Sequence, residues 1–354
     1  MSQFIQLHIL TSYPPSNLNR DDMGRPKTAR MGGFERLRVS SQSLKRHWRT
    51  SDLFEEALGA NKGIRTKQIG PIVFDILSKG GVAEKKAVEW SLAIANVFGK
   101  AKGKKKEELE IEQLVHVSQA ELDAVKALAA KLAEEQREPE KEELELLRKD
   151  RMDVDIALFG RMLASRPDQN VDAACQVAHA ISVHSVAIED DYFTAVDDLN
   201  DGKDDLGASH IGERGFAAAL FYNYLCINTD QLLDNLNGNV ELANQAIQSL
   251  TEAAVKVSPT GYQNSFASRA YASYVLAEKG AQQPRSLSVS FLKPTEGRGD
   301  GMAVNAVEAL NNQAGIFDRV YGDCADDRYQ LNAVTGSGSL KELLEFVGAC
   351  RAEN

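Results

Sequence analysis

A short stretch near the start of the chain, RLRVSSQSLKRHWR, concentrates positive charge. Its basic residues are Arg36, Arg38, Lys45, Arg46 and Arg49. Guanidinium and ammonium groups bind phosphate oxygens, Arg through a planar fork and Lys as a point charge. The stretch contains neither G-x-x-x-x-G-K-[ST] nor G-x-G-x-x-G, which argues against a pocket for a single nucleotide. We therefore predict contact with a polymer of phosphates, the alternative being ordinary solvated surface charge.

The local pattern predicts a strand that positions the first two arginines. From Phe34 to Ser40 the side chains alternate, so Arg36 and Arg38 share an outer face while Leu37 and Val39 face a core. An outer face of this kind would present both guanidinium groups to a ligand.

A serine-rich turn and a helix start follow this strand. Leu44 and Trp48 lie four residues apart on the apolar side of the predicted helix. Helix N-termini offer free N–H groups and a partial positive charge to anions, and serines cap them. The serines are Ser40, Ser41 and Ser43, and the polar side carries Gln42, Lys45, Arg46 and Arg49.

A predicted loop from Ser16 to Gly33, rich in Asn, Gly and Pro, adds more candidates. Asn19, Arg20 and Lys27 are its predicted phosphate contacts. The loop follows a first alternating strand, Phe4 to Leu10.

The charge of the chain is unevenly distributed. Residues 1–50 hold nine Lys and Arg against three Asp and Glu, whereas the whole chain of 354 residues has a net charge of −10. A phosphate senses local potential within a Debye length of about 8 to 10 Å, so a confined basic surface is compatible with an acidic protein.

Composition also sets bounds on compartment and size. The chain is long enough for one large domain or two ordinary ones, and no apolar run suits a membrane span. The N-terminus shows no targeting pattern, and we expect a cytoplasmic protein. The cysteines are far apart, without C-x-x-C, which predicts free thiols and no metal site: Cys175, Cys226, Cys324 and Cys350.

Several segments have clear secondary-structure signals. Ser118 and Glu121 form a capping box before an amphipathic helix that we expect Pro139 to end. Ser286–Phe291 predicts a strand, and 302–313 and 340–351 predict helices. The region from 61 to 149 is rich in Ala, Leu, Glu and Lys, which predicts a helical insertion.

Several blocks along the chain resemble a known family, the guide-RNA-binding backbone subunits (CasC, Cas-seven superfamily) of type I-E CRISPR Cascade complexes. The blocks are FIQLHIL, NLNRDDM, RVSSQSLKR, DVDIALFGRM, AHAISVH, FTAVDDL, GASHIG and FYNYLCIN. Their order over most of the chain makes the resemblance far more specific than one motif.

The resemblance implies an α+β fold with an RRM-like (ferredoxin-like) palm, a helical finger insertion and a β-hairpin thumb. The palm would comprise residues 1–60 and 150–354, with the thumb at about 190–225, and the finger would comprise 61–149. Several copies would polymerise along a CRISPR RNA and hold its backbone independently of sequence. The guide bases would then pair with target DNA in antiviral defence.

The resemblance also implies partners and an absence of catalysis. The partners would be CRISPR RNA, a target DNA strand, further copies of the chain, and the large, small and guide-end-binding Cascade subunits. A separately recruited helicase-nuclease would cut the DNA, and the chain itself would need no cofactor or metal. A loop aspartate cuts RNA in type III relatives, so Asp22 beside Asp21 is the alternative, whereas capping or pairing with Arg20 is the structural interpretation. A protein-interaction scaffold is a third possibility.

Two further sets of residues follow from the resemblance. Met162, Leu163 and His210 are candidates for the thumb or for an apolar wedge that splays out a nucleotide, although a core role for Met162 is equally compatible with its sequence. Lys104, Lys105 and Lys106 are candidate DNA contacts in the finger, with a solvated helix start as the alternative.

Overall fold

The computed structural model shows a mixed α/β fold and describes residues 3–59, 61–148, 152–195, 210–299 and 301–348. The strands are β1 Phe4–Ser16, β2 Thr28–Met31, β3 Phe34–Val39, β4 Ile64–Thr66, β5 Val115–Val117, β6 Cys175–Val177, β7 Ala180–Ser182, β8 Glu189–Ala195, β9 His210–Asn228, β10 Ala272–Gly280 and β11 Asp327–Asn332. The helices are α1 Ser41–Arg49, α2 Asp52–Leu58, α3 Ile69–Lys79, α4 Glu84–Phe98, α5 Gln119–Glu135, α6 Val154–Phe159, α7 Thr229–Asn235, α8 Val240–Lys256, α9 Gln263–Phe266, α10 Gly301–Tyr321 and α11 Leu340–Val347.

The main sheet is antiparallel and runs in the order β11-β10-β1-β9-β7-β3-β2, with β6 and β8 also paired to β9. Strand β1 lies inside the sheet, where Phe4 is opposite Gly280 of β10 on one side and Asn228 of β9 on the other. The predicted first strand is therefore present and extends to Ser16.

Two hydrophobic cores cover the faces of this sheet, as a layered fold requires. One contains Ile5, Leu7 and Ile9 of β1 together with residues of α1, α2, α6, α8 and α11. The other contains Leu10 and residues of α10, together with Phe291. Both sides of β1 are thus buried against packed layers.

The segment under α10 departs from the sequence prediction. The sequence predicts a strand at Ser286–Phe291, but Ser288–Phe291 forms a 3-10 turn. The strand that borders β1 is Ala272–Gly280 instead. Helix α10 is longer than predicted, and the predicted last helix is present as Leu340–Val347, while residues 349–351 lie outside the described part of the chain.

A third core forms around α3, α4 and α5 with the small β4–β5 sheet. The Ser118 and Glu121 capping box is confirmed. The prediction that Pro139 ends the helix is wrong, because α5 ends at Glu135 and Gln136 already has a left-handed φ of 52°. The division of the chain into palm and finger at residues 61 and 149 stays a prediction.

Strands β8 and β9 form a hairpin, from the pair Glu189 and Phe216 to the pair Ala195 and His210. Residues 196–209, in the middle of the predicted thumb at about 190–225, lie outside the described residues.

Among the described cysteines, Cys175, Cys226 and Cys324 are buried free thiols, while Cys350 lies outside the described part of the chain. Burial raises the pKa of Cys226 to about 11, which makes its thiol unreactive. None of the helices in the described ranges has the length and apolar character needed to cross a membrane.

Candidate nucleic-acid interface

Arg36 is wholly buried, at 0% exposure, so the prediction that it faces outward is wrong. Its guanidinium donates from Nη1 to the carbonyl of Ser182 at 3.1 Å and from Nη2 to the carbonyl of Phe291 at 2.8 Å. The segment that ends in the 3-10 turn therefore covers this part of β3. Because both faces of the strand are covered here, Arg36 ties the segment to the sheet and offers nothing to a phosphate.

Arg49 is also an internal residue rather than part of an outer basic face. Its side chain is 11% exposed, and Nη1 lies 3.1 Å from Oδ2 of the buried Asp155. The same oxygen accepts a hydrogen bond from Nε2 of His116 at 2.8 Å. Burial alone would raise the pKa of Asp155, but the hydrogen bond from His116 and the charge of Arg49 lower it to about 2.

The remaining predicted cations stay accessible. Asn19, Lys27 and Arg38 line one small recess beside β3, and Arg38 and Lys27 are half-buried. Arg46 is exposed on α1, and Nζ of Lys45 lies 5.8 Å from the centre of the Phe159 ring. The structure thus leaves five of the basic residues that were predicted to bind phosphate at the surface: Arg20, Lys27, Arg38, Lys45 and Arg46.

The N-terminus of α1 is capped from within the protein. Ser40 is the N-cap, and its Oγ accepts a hydrogen bond from the backbone N–H of Ser43 at 3.3 Å. The N–H of Ser40 donates to Oδ1 of Asn19 at 2.9 Å. Ser40 and Ser41 are buried, so their side chains stabilise the start of α1 rather than contact a phosphate. The Gln42 side chain is exposed.

His179 is a candidate that sequence reasoning missed. The backbone N–H of Ser41 donates to its Nδ1 at 3.0 Å, which leaves the proton of the neutral ring on Nε2. The side chain is exposed, and within the described residues Nε2 has no hydrogen-bond partner. Partial burial and the nearby charges of Arg38 and Lys27 lower the pKa of His179, so the ring is neutral at pH 7. It lies 138 positions from Ser41, and no local motif links the two residues.

The candidate wedge residues have different environments. Met162 is 82% exposed, so a core role for it is wrong. Leu163 is 3% exposed and packs in the third core, so it has no surface available to act as a wedge. The backbone of His210 begins β9 opposite Ala195.

The loop that carries Met162 is anchored by an ion pair. Nη1 of Arg161 lies 2.8 Å from Oε2 of Glu121, and both side chains are buried. The exposed methionine therefore stands next to a fixed point of the fold.

The remaining polar candidates lie in turns. Oδ1 of Asp21 accepts hydrogen bonds from the N–H groups of Met23 and Arg25, each at 2.9 Å, whereas Asp22 is exposed. Lys104 and Lys105 are exposed, and Nζ of Lys106 lies 5.0 Å from the centre of the Phe74 ring. No group of three or more metal-ligating side chains occurs among the residues that the structure describes.

Comparison with known proteins relates this geometry to a family. A chain of the solved structure "CRISPR RNA-guided surveillance complex, pre-nicking" has a TM-score of 0.81 and 30% identity, with 98% of this chain and 99% of that chain covered. A chain of a "CRISPR RNA-guided surveillance complex" has a TM-score of 0.61 and 26% identity, with 98% of both chains covered. No curated protein matches. The family model described as "CT1975-like protein" matches residues 5–344, nearly the whole chain, and the protein therefore belongs to the CT1975-like family.

Proposed function

We propose that the protein is a guide-RNA-binding backbone subunit of a type I-E CRISPR interference complex. Several copies polymerise along one CRISPR RNA in the cytoplasm and hold its phosphates without reading its sequence. The guide bases stay free to pair with target DNA and form an R-loop in antiviral defence.

The observation that carries this proposal is the cluster of Lys27, Arg38 and His179 beside the capped start of α1. These side chains are cations or N–H donors, and all three reach the surface of a protein whose net charge is −10. Donors of this kind suit phosphates and sugars, which are the same at every position of a guide. The similarity over 98% of the chain to surveillance-complex chains supports the same role.

The architecture that goes with this role is an RRM-like palm, a helical finger and a β-hairpin thumb. In it, Met162 acts as the apolar wedge and the exposed Lys104 and Lys105 contact target DNA, with Lys106 beside them. The other Cascade subunits and a separately recruited nuclease complete the assembly. We propose that the chain binds and does not cut, needs no cofactor, and uses Asp21 for its local turn.

RNA binding by the purified protein tests the proposal. We expect tight binding to unrelated RNA sequences of equal length, with an affinity that falls steeply as salt rises. Lys27→Ala with Arg38→Ala should weaken binding to all sequences alike, while Arg319→Ala, an exposed arginine of α10, should not.

Two results would contradict the proposal. Failure of the wild-type protein to bind RNA would leave the protein-scaffold interpretation. Metal-dependent cuts in complementary RNA that disappear in Asp22→Ala would identify an endoribonuclease.

A further inference from the structure

Two arginines from distant parts of the chain converge on one tyrosine ring at the base of the β8–β9 hairpin. Cζ of Arg20 lies 4.3 Å from the centre of the Tyr262 ring, and Cζ of Arg214 lies 4.1 Å from it. Arg214 is also 4.9 Å from the ring centre of Phe193. Its Nη1 donates to Oγ of Ser265 at 3.1 Å, which fixes the plane of the guanidinium further.

The backbone holds the tyrosine in an unfavourable conformation. Tyr262 has a φ of 47°, in the left-handed region that a bulky residue rarely adopts. Gly261 before it lies so close to the loop that a Cβ would be 2.5 Å from the carbonyl oxygens of Asn17 and Leu18. The ring is therefore held against the loop that carries Arg20.

The same loop is fastened to the hairpin. Nδ2 of Asn17 donates to the carbonyls of Gly24 at 3.0 Å and Gly215 at 2.9 Å. Arg25 pairs with Asp190 of β8 at 3.1 Å. These contacts connect the loop, the tyrosine and the base of the hairpin. They therefore fix the position of Arg20 relative to Arg214.

Neither arginine forms an ion pair within the described ranges, although Asp191 lies opposite Arg214 in the β8–β9 register. Asp190 is already paired with Arg25. The interaction with Arg20 and the positive charge of Arg214 lower the pKa of Tyr262. Contact with an aromatic face offsets only part of the repulsion between two cations, whereas a bound anion would remove it.

We propose that Arg20, Tyr262 and Arg214 form a phosphodiester-binding site at the base of the hairpin. Arg20 is exposed and the other two side chains are half-exposed, so each guanidinium group is accessible to the phosphates of a nucleic-acid backbone. Arg20 and Lys27 share one loop, and the site therefore extends the surface of Lys27, Arg38 and His179 toward the hairpin. This inference rests on the proposed function, since it assigns a further stretch of the same nucleic-acid track.

The test measures how affinity depends on salt for the full chain, with single-stranded RNA and single-stranded DNA of one sequence. Arg214→Gln and Arg20→Gln should each weaken RNA binding on the order of fivefold. Each should also lower the slope of log affinity against log salt by about 0.7, the value for one phosphate contact on a single strand. Arg214→Lys keeps the charge and should keep the slope, and Arg319→Gln is the matched control.

The outcomes separate this site from the proposed function. If wild-type protein binds no nucleic acid, the proposed function fails. If Lys27→Ala with Arg38→Ala weakens binding but both glutamine variants keep the wild-type slope, the site is wrong and the proposed function stands. A lower melting temperature without a change in slope would show that the cluster only supports the hairpin, which also overturns the proposal. If the glutamine variants lower the salt slope of RNA binding, the site contacts the guide. If they lower the salt slope of DNA binding alone, the site contacts the target strand.

Discussion

Arg36 and Arg38 lie two positions apart on one strand and yet have opposite environments. Arg36 donates to backbone carbonyls in the interior, while Arg38 reaches the surface beside Lys27. The alternation of the sequence predicts correctly that neither shares the side of Leu37 and Val39. The alternation cannot predict that Arg36 is covered while Arg38 is not. The residue that covers Arg36 is Phe291, which is 255 positions away in the sequence.

Replacing Arg36 should therefore affect stability rather than RNA binding. Arg36→Met leaves two buried carbonyls without their donor, and we expect the free energy of unfolding to fall by about 3 kcal/mol. Arg38→Met should change it by less than about 0.5 kcal/mol but weaken RNA binding. Urea unfolding and RNA titration of both variants check this, and equal stability of the two would contradict it.

His179 allows a sharper test, because Nδ1 accepts the N–H of Ser41 while Nε2 has no hydrogen-bond partner within the described residues. His179→Asn keeps an acceptor for the N–H of Ser41 but lacks the outer N–H donor. If that donor binds phosphate, we expect Asn and Ala variants alike to lose about 1 kcal/mol of RNA-binding free energy. His179→Gln, which restores an outer donor, should recover part of the loss.

RNA titrations at pH 7.5, where the ring is neutral, measure these affinities. If His179→Asn binds RNA as tightly as the wild-type protein does, His179 serves only to cap α1.

Polar contacts fasten the helical region around α3, α4 and α5 to the large sheet. Asp155 joins Arg49 of α1 to His116 of β5, and Oδ2 of Asp153 accepts from the N–H of Gln119 at 2.7 Å. The buried pair of Arg161 and Glu121 lies at the same junction. The exposed Met162 thus stands where the first and third hydrophobic cores meet.

Acid should loosen this junction. The pKa of Asp155 is about 2 in the fold and 3.8 ordinarily, so its carboxylate stabilises the fold above about pH 4, and this contribution is lost as the pH falls toward 2. We expect Asp155→Asn to lower the free energy of unfolding at pH 7 by about 2 kcal/mol or more, and the difference from wild type to shrink toward pH 2.

Denaturant unfolding across this pH range gives the comparison. Asp168 is a matched control, because Arg166 lowers its pKa to about 2 as well, but on the surface. Asp168→Asn should have a much smaller effect at every pH. If the loss of unfolding free energy in Asp155→Asn is the same at every pH, the stabilising role of the Asp155 carboxylate is contradicted.

Elements with local signals were predictable, and those that depend on distant side chains were not. The capping box of α5 and the apolar pair Leu44 and Trp48 of α1 are confirmed. Ser286–Phe291 alternates like a strand, but Oη of Tyr222 accepts from the N–H of Leu287 and Oγ of Ser286 accepts from the N–H of Ser288. These side chains take backbone donors that a strand would give to a neighbouring strand.

At the scale of the whole molecule, residues 1–50 carry an excess of positive charge in an otherwise acidic chain. Two of the basic residues in this range are not at the surface, because Arg36 donates to a backbone carbonyl and Arg49 pairs with Asp155 inside the protein. The family match over residues 5–344 and the similarity to surveillance-complex chains support the resemblance to a CRISPR backbone subunit, while its assignment to type I-E stays a prediction. The distinction between inward and outward arginines required the packing of the whole chain.

Charge reversal on α1 tests whether the local positive charge of this helix binds RNA. Lys45→Glu with Arg46→Glu should weaken RNA binding at least tenfold at physiological salt, because local repulsion replaces attraction within a Debye length. Thermal unfolding should change little. Reversal of Arg49 instead would place a carboxylate against Asp155 and unfold the junction.

The control is Lys79→Glu with Lys85→Glu, an equal change of net charge at exposed positions of α3 and α4. If this control weakens RNA binding as much as the α1 variant, net charge rather than the α1 surface governs affinity.

The interior position of β1 has a consequence for synthesis of the chain. Its partners are β9, which ends at Asn228, and β10, which ends at Gly280. A growing chain makes its first strand early and must wait for most of the remaining sequence before both neighbours exist. The local contacts around α3, α4 and α5 can form long before that. Incomplete chains released from the ribosome would therefore contain a folded helical part but no completed sheet, and we expect them to have no assembled surface with which to occupy a guide RNA.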